Sequence, residues 1–307
     1  IYKCTQRTRL LHQFHKTNLM SRIALFGRQF SEEHNDSITQ FLSILKERKV
    51  VFSVYTPFLN FLDENLTIER SQFAEYDKEN FDATAFDVMI SVGGDGTMLE
   101  CATLICDSEL PILGLNTGRL GFLSSISLEH MREAIDQIVS GAFMTDHRSL
   151  IKLETEQGIF GKENFALNEL TVHKKDTQSM IVIHAYVDGK FLNTYWADGL
   201  IIATPTGSTA YSLSCGGPII LPSSSNFIIT PVAPHNLNVR PVLISDQSTV
   251  TLRVEGRSEN FLISLDSRSA TIEAQTVLTL SKHSFGVNLI RLKNHSFLKT
   301  LRNKLNW

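Results

Sequence analysis

Apolar residues are arranged in two different patterns along this chain, one in each half. In the first half, short apolar runs alternate with stretches of helical period; after about residue 150, short runs follow one another with almost no helical period. A short apolar run predicts a buried strand, and a stripe repeating every three to four residues predicts a helix. The pattern therefore predicts an α/β region followed by a mostly β region.

The first half predicts a parallel sheet with connecting helices. A helix is expected over residues 35–46, because Ile38, Phe41, Leu42 and Leu45 form one apolar face. Another is expected from Ser127 to Gly141, and one short helix within residues 56–85. The predicted strands are Ile23–Phe26, Val50–Tyr55, Phe86–Val92 and Pro111–Asn116. Alternation of strands and helices is typical of a Rossmann-like domain.

The second half predicts an antiparallel, sandwich-like domain. Asp188-Gly189 is expected to form a hairpin turn between two of its strands. The eight predicted strands are Ile151–Glu154, Ala166–His173, Met180–Val187, Phe191–Trp196, Leu200–Thr204, Val242–Ser245, Val250–Val254 and Phe261–Leu265.

The strand Phe86–Val92 leads directly into a glycine turn, Gly93-Gly94-Asp95-Gly96. Thr97 and Glu100 have the spacing of a capping box, which predicts that a helix starts there. A strand, a glycine turn and a helix N-terminus in succession form a phosphate site, because glycines let the ligand approach free backbone amides. Asp95 would repel phosphate unless it accepts a proton from an attacking hydroxyl or holds a cation.

The same turn also fits a plain connection, because Asp-Gly is a common turn pair in proteins that bind no phosphate. Two other phosphate-binding motifs are missing from the sequence. It contains no G-x-x-x-x-G-K-[ST], and Leu99 occupies the place of the third glycine of the dinucleotide fingerprint.

A second glycine-rich turn, from Gly114 to Phe122, follows the next predicted strand. The carboxyl ends of neighbouring parallel strands lie at one edge of a sheet, where ligands of open α/β sheets bind. We therefore expect the two turns to lie side by side. A plain connection between elements fits the second turn as well.

A segment rich in hydroxyl groups, residues 195–222, lies between apolar stretches of the β region. Asn168 and Glu169 form an amide and carboxylate pair inside an apolar strand, where each costs about 1–3 kcal/mol without a partner. A ribose is one candidate partner, and a structural hydrogen bond to a nearby loop is the other. Asp198 and Asp266 leave the same two alternatives open.

Composition narrows the class of protein. The 307 residues include 29 basic and 32 acidic ones, so no global positive charge favours nucleic acid as a partner. No apolar run reaches the length of a membrane span. The four scattered cysteines favour free thiols, and the histidines lack metal-ligand spacing, so we expect a cytoplasmic protein with no metal site of its own. The chain begins with Ile1, and residues 1–19 are expected to be a leader outside the fold.

These motifs resemble the NAD kinase family, in order and in interval, from about Met20 to Trp307. The glycine turn alone is shared with phosphofructokinase-like and lipid kinases, but the block from Asp198 to Pro218 is more selective. The matching motifs are Gly93-Gly94-Asp95-Gly96-Thr97, Gly118-x-x-Gly121-Phe122, Asn168-Glu169, Asp198-Gly199-Leu200, Thr204-Pro-Thr-Gly-Ser-Thr-Ala-Tyr211 and Ser214-x-Gly216-Gly217-Pro218.

The resemblance implies transfer of the γ-phosphoryl group of ATP, with Mg²⁺, to the 2′-hydroxyl of the adenosine ribose of NAD. It leaves open whether polyphosphate replaces ATP. It also implies a phosphofructokinase/diacylglycerol-kinase-like α/β domain, an all-β domain binding NAD, and a homodimer or homotetramer. The domains would be residues 20–126 and 148–276, joined by 127–147, with 277–307 returning to the first domain.

Carried over by position, the resemblance makes Asp95 the general base. The substrate-binding residues it implies are Gly96, Phe122, Asn168, Glu169, Asp198, Thr206, Thr209, Ala210, Tyr211, Ser212, Leu213, Ser214 and Ala233.

Two positions depart from the family pattern. Arg268 stands where glutamine is common, and Trp196 where some members have a basic residue, so neither contact can be carried over. A kinase of a lipid or sugar phosphate, and a sensor that binds NAD without turnover, are the alternative functions.

Overall fold

The computed structural model describes residues 22–124, 126–175, 180–257, 259–293 and 295–307. The expected leader, residues 1–19, lies outside these ranges. The α-helices are α1 (Asn35–Glu47), α2 (Thr56–Asn65), α3 (Asp95–Ile105), α4 (Met131–Val139), α5 (Tyr211–Ser214) and α6 (Phe297–Leu305). The strands are β1 (Arg22–Gly27), β2 (Val51–Tyr55), β3 (Ala74–Tyr76), β4 (Val88–Val92), β5 (Ile112–Asn116), β6 (Ile126–Ser127), β7 (Phe143–Glu154), β8 (Phe165–Ala166), β9 (Glu169–Lys174), β10 (Ile181–Val187), β11 (Lys190–Ala197), β12 (Gly199–Ala203), β13 (Asn226–Val232), β14 (Val242–Ser245), β15 (Val250–Glu255), β16 (Asn260–Leu265), β17 (Arg268–Glu273) and β18 (Val277–Leu292).

The N-terminal part is a parallel sheet, as the apolar runs predicted. Its strand order is β5-β4-β1-β2-β3, and each pair is parallel. Every residue of β4 and β5 is buried, which explains why these strands read as continuous apolar runs. The predicted apolar face of α1 is buried too, at Ile38, Phe41, Leu42 and Leu45.

Strand order reverses direction at one point in this sheet. From β1 the chain proceeds outward to β2 and β3, and it then returns to place β4 on the other side of β1. The crevice at the carboxyl ends of such a strand pair is where open α/β sheets bind ligands. The turn after β4 therefore lies at the topological switch point, beside the residue that follows β1: the Arg28 amide donates to the Val92 carbonyl at 3.3 Å.

The C-terminal part is an antiparallel sandwich, which confirms the predicted fold class. A sheet of order β14-β13-β12-β9-β16-β17 packs against β11-β10-β15-β18 of the larger sheet. Val250, Leu252 and Val254 alternate inward along β15 and share one apolar core with Phe261 and Ile263 of β16. Asp188 and Gly189 form the predicted hairpin turn, both with positive φ.

The longest strand, β18, joins the two parts. It pairs with β15 and β7 on the sandwich side and with β5 of the parallel sheet. The apolar pattern does not reveal β18, because a polar stretch interrupts its middle. The pattern also misses β3, β13 and β17. β18 begins at Val277, where the C-terminal segment was expected to start, but the division of the chain into domains stays a prediction.

Candidate active site

The glycine turn after β4 ends in α3, which begins at Asp95. The predicted capping box is wrong, because the helix starts two residues before Thr97 with Gly94 at the N-cap position. Thr97 is instead buried within the first turn, and its side chain packs against Gly93. Asp95 is the first residue of α3, and its side chain extends towards another loop.

That loop is the second glycine-rich turn. The Asp95 carboxylate accepts hydrogen bonds from the amides of Phe122 (2.9 Å), Leu123 (3.1 Å) and Ser124 (2.8 Å). Glycine at position 121 makes room for this contact, since a Cβ there would overlap Asp95 Oδ1 and displace the carboxylate. The two turns lie at one edge of the sheet, as the sequence predicted, and Asp95 joins them.

The outer face of the first turn is open. Gly94 and Gly96 are exposed, and apart from the adjoining backbone no atom lies within 4 Å of the position that a Cβ would take at either residue. Asp95 itself is partly exposed. A ligand can therefore approach the backbone and the carboxylate from this side.

A second group of predicted residues is formed by Asn168, Glu169 and the hydroxyl-rich segment. The Thr204 amide donates to the Asn168 carbonyl at 2.8 Å, and the Thr204 hydroxyl donates to the Leu167 carbonyl at 2.6 Å. A Cβ at Gly207 would overlap the Asn168 carbonyl, so glycine permits the close contact. Residues 204–214 thus fold directly against the Asn-Glu pair.

The Glu169 carboxyl group is buried and incompletely hydrogen-bonded. Its Oε2 atom has no hydrogen-bond partner among the described residues, although the Tyr211 amide reaches the carboxyl group. Burial, followed by repulsion from Asp266, raises the pKa of Glu169 to about 8. Glu169 is therefore mostly protonated at pH 7 and able to donate a hydrogen bond to a ligand.

Asp266 holds the backbone around the Asn-Glu pair. Its carboxylate accepts from the amides of Leu167 (2.8 Å), Asn168 (2.8 Å) and Glu169 (3.2 Å). Arg268, one of the two departures from the family pattern, donates to the carbonyls of Glu163 and Phe165. Both side chains support the strand that carries the site.

A third group brings Asp198, Tyr211 and Ala233 into one neighbourhood. The Asp198 amide donates to the Val232 carbonyl at 3.0 Å, directly before Ala233. Lys174 pairs with the Asp198 carboxylate at 2.5 Å, and the adjacent His173 ring lies 5.6 Å from the Tyr211 ring, centre to centre. His173 ends a predicted strand, but neither His173 nor Lys174 belongs to a matching motif, so the sequence did not mark them as site residues.

The remaining predicted residues of the segment differ in exposure. Ser214 is exposed and Leu213 partly so, whereas Ser212 is fully buried and its hydroxyl pairs with that of Thr230 at 2.8 Å. The Thr209 hydroxyl donates to the Thr206 carbonyl at 3.2 Å, and Ala210 is partly exposed. Trp196, the other departure, is exposed.

Arg148 connects the first group with the second. It lies on β7, is only 8% exposed, and places Nη1 3.3 Å from the Thr206 hydroxyl. Together with Phe122 it lines a cavity between the second glycine turn, β7, β18 and α6. Sequence reasoning missed Arg148, although it shares the buried face of β7 with Leu150, where a charged residue is unexpected.

Two features are absent from the described part of the chain. No three His, Cys, Asp or Glu side chains converge in the manner of a metal centre. None of the described helices has both the length and the apolar character needed to span a membrane.

Two family models match this chain. The ATP-NAD kinase N-terminal domain matches residues 23–143, and the ATP-NAD kinase C-terminal domain matches residues 167–292. The chain is 45% identical over 284 residues to an NAD kinase of Cytophaga hutchinsonii, covering 92% of this chain and 97% of that protein. It is 43% identical over 288 residues to an NAD kinase of Flavobacterium psychrophilum, covering 93% and 98%.

Solved structures agree at the level of the fold. Yeast NADH kinase complexed with NADH superposes with a TM-score of 0.81 at 20% identity, over 94% of this chain and 89% of that one. An NAD kinase from Archaeoglobus fulgidus in complex with ATP gives a TM-score of 0.72 at 24% identity, over 93% and 97%. With both family models matched along most of its length, the chain belongs to the NAD kinase family, as its motifs indicated.

Proposed function

We propose that this protein transfers the γ-phosphoryl group of MgATP to the 2′-hydroxyl of the adenosine ribose of NAD, with Asp95 as the proton acceptor. The observation that carries the proposal is the placement of Asp95, fixed by three amides at the open edge of the switch point. Relatives that are named NAD kinases and match nearly the whole chain support the reaction.

The hydrogen bonds to Asp95 identify the oxygen that takes the proton. A carboxylate has about four acceptor positions. Oδ1 accepts from two amides and Oδ2 from one, so among the described residues Oδ2 keeps a position for the ribose hydroxyl. The hydroxyl proton passes to Oδ2, the oxygen attacks the γ-phosphorus, and ADP leaves.

The donor nucleotide is placed at the switch point, where the glycine turn offers backbone amides to phosphate oxygens. Arg28 lies at the same edge, where its charge is offset by an ion pair with Glu100 of α3, so the backbone amides are the main groups available to phosphate there. Mg²⁺ enters with ATP, because this cation is usually held by substrate phosphates and one or two carboxylates. Inorganic polyphosphate is tested as a donor in place of ATP.

The acceptor dinucleotide is placed along the second and third groups. Asn168 and the protonated Glu169 offer a donor and an acceptor to vicinal ribose hydroxyls, which both donate and accept. The hydroxyl-rich segment and the pocket around Asp198 and Ala233 contact the rest of NAD. Positioning of this kind supplies much of the rate of phosphoryl transfer.

The protein works in the cytoplasm as a homodimer or homotetramer. The family resemblance supports this proposal, since a neighbouring subunit of similar proteins can contribute the Asp198 region. Light scattering of the purified protein at micromolar concentration gives its mass, and a monomer there would contradict the proposal.

The decisive experiment is incubation of the purified protein with NAD, ATP and Mg²⁺, followed by assay for NADP. Formation of NADP is expected, and NADH is tested in parallel. Phosphorylation of a lipid or sugar phosphate without NADP formation would favour the other kinase class. Binding of NAD without NADP formation would favour a sensor.

A further inference from the structure

A small cavity at the junction of the two parts has a lining unlike the rest of the core. It is lined by Phe122 of the second glycine turn. The volume that the centre of a water molecule can occupy in it is about 40 Å³. Arg148, Asp146 and Arg291 contribute charged groups to its wall, and α6 contributes its first turn.

The charges in this wall do not cancel. Asp146 is shared by both arginines, at 3.6 Å from Arg148 Nη2 and 3.6 Å from Arg291 Nε, so two cations face one carboxylate. The other titratable lining residue, His295, stays neutral at pH 7, because burial and then the charge of Lys299 lower its pKa. The cavity therefore has a net positive charge.

Arg148 is the group most in need of a partner. Only 8% of its surface is exposed, and its Nε atom has no hydrogen-bond partner among the described residues. Leaving a buried charged donor unsatisfied costs more free energy than leaving a neutral one unsatisfied. An anion in the cavity would satisfy it and would accept a charge-assisted hydrogen bond.

The N-terminus of α6 points to the same class of ligand. Ser296 caps the helix by accepting from the Lys299 amide at 3.2 Å, and Ser296, Phe297 and Thr300 all line the cavity. The amides at the start of a helix lack intrahelical partners and carry a partial positive charge. Helix N-termini bind phosphate for this reason.

Size and position restrict the ligand further. One water needs roughly 10–15 Å³ on this measure, so the cavity takes a group of about three waters, such as one phosphate, and excludes a nucleoside. Arg148 also contacts the Thr206 hydroxyl, and the Phe122 amide is one of the three that donate to Asp95. The cavity thus lies between the two predicted substrate regions.

We propose that this junction cavity is a phosphate subsite that binds one phosphate group of a nucleotide substrate, with Arg148 as its principal ligand. The identity of the nucleotide rests on the proposed function, whereas anion binding by the cavity does not. The shared chemistry is that of a phosphate oxyanion, which comes either from the pyrophosphate of NAD or from the triphosphate of ATP.

The test is calorimetric titration of the full chain with inorganic phosphate, in potassium chloride of constant ionic strength. We expect saturable binding at one site per chain, and at least a tenfold loss of affinity in Arg148→Met, about 1.4 kcal/mol. Arg148→Lys should keep part of the affinity, because it keeps the charge but loses the planar fork. Arg132→Met is the matched control, since it removes an exposed arginine of α4 that is paired with Glu47 of α1.

Competition identifies the source of the phosphate group. If NAD displaces inorganic phosphate, the subsite takes the dinucleotide pyrophosphate; if only ATP displaces it, the subsite takes the donor. Displacement by neither nucleotide, no binding to the wild type, or equal binding to Arg148→Met would overturn the proposal. Should Arg148→Met fail to fold, Arg291→Met removes the more exposed cation of the same cavity and decides the question.

The two proposals fail separately. Phosphate binding needs no turnover, so intact binding without NADP formation would reject the proposed function alone. NADP formation by a protein whose cavity binds no phosphate would reject the subsite alone. A raised KM for the displacing nucleotide in Arg148→Met, with kcat changed less, is the kinetic result expected of a substrate contact.

Discussion

Asp95 and Asp266 make the same contact in the two parts of the molecule. Each carboxylate accepts hydrogen bonds from three consecutive backbone amides, those of residues 122–124 for Asp95 and 167–169 for Asp266. Each thereby joins one turn to a distant segment. The hydrogen-bond pattern alone does not distinguish a reactive carboxylate from a structural one.

The surroundings do distinguish them. Asp266 and Asp95 are both partly exposed as whole residues, but desolvation raises the pKa of Asp266 even against three amide donors, so its carboxyl group has lost much of its contact with water. Asp95 instead lies at a helix N-terminus between two glycines with open space beside them. Asp95 can meet a ligand, whereas Asp266 holds the strand that presents Asn168 and Glu169.

The largest expected difference between the two aspartates is kinetic. Asp95→Asn should lower kcat for NADP formation by about 10²–10⁴-fold, the usual contribution of a general base, while NAD still binds. Steady-state kinetics and calorimetry with NAD measure the two effects. Asp266→Asn is the matched control, because it removes a carboxylate that accepts from three amides in the same way. We expect this variant to retain most of its kcat at a temperature where it is folded. Near-normal turnover by Asp95→Asn would remove Asp95 from the mechanism.

The free energy of unfolding should fall more when Asp266 is removed than when Asp95 is removed, which is the opposite of the order expected for kcat. Asp266→Ala leaves three enclosed amides without an acceptor, so the free energy of unfolding should fall by about 3 kcal/mol. Asp95→Ala should lose less, because Asp95 lies between two exposed glycines and is itself partly exposed, so its interaction with the amides is weakened more by solvent. Urea denaturation of both variants measures the difference, and a larger loss for Asp95→Ala would contradict the distinction drawn between the clamps.

A smaller change tests the geometry of the Asp95 clamp. Gly121→Ala places a Cβ against Asp95 Oδ1, and we expect it to shift the carboxylate and cost about 1–3 kcal/mol of stability. The kcat should fall by more than the loss of folded protein accounts for. Gly118→Ala is the control in the same turn, because the nearest atom to its Cβ would be Asn116 Oδ1 at 3.9 Å. Equal activity of both variants would show that the clamp tolerates displacement.

Glu169, which lies beside Asp266, should make the stability of the protein depend on pH. The pKa of Glu169 is about 8 in the folded chain, against an ordinary value of 4.5, so the folded state binds more protons between these values. The contribution of Glu169 to the free energy of unfolding should therefore be greatest below about pH 4.5. It should fall as the pH rises from there to about 8, by at most about 1.4 kcal/mol per pH unit. Denaturation at several pH values should give a shallower slope for Glu169→Gln. An unchanged slope would place the proton elsewhere.

The apolar pattern predicted the elements that depend on local burial. The strands β1, β4 and β5 and the helix α1 were recognisable because parallel strands are buried along their whole length and α1 has one apolar face. The glycine turns were also recognisable, as was their placement at one edge. β18 could not be recognised in the sequence, because different neighbours bury different segments of it. Its polar middle also interrupts the alternation of apolar residues.

The sequence by itself determined the fold class, the family and the residues around which a phosphoryl-transfer site can form. Only the tertiary structure decided that Asp95 clamps residues 122–124, that Asp266 clamps residues 167–169, and that Arg148 reaches Thr206. The reason is physical. Burial periodicity and turn chemistry are local properties of the chain, whereas a carboxylate or guanidinium acquires its partners only when distant backbone segments pack beside it.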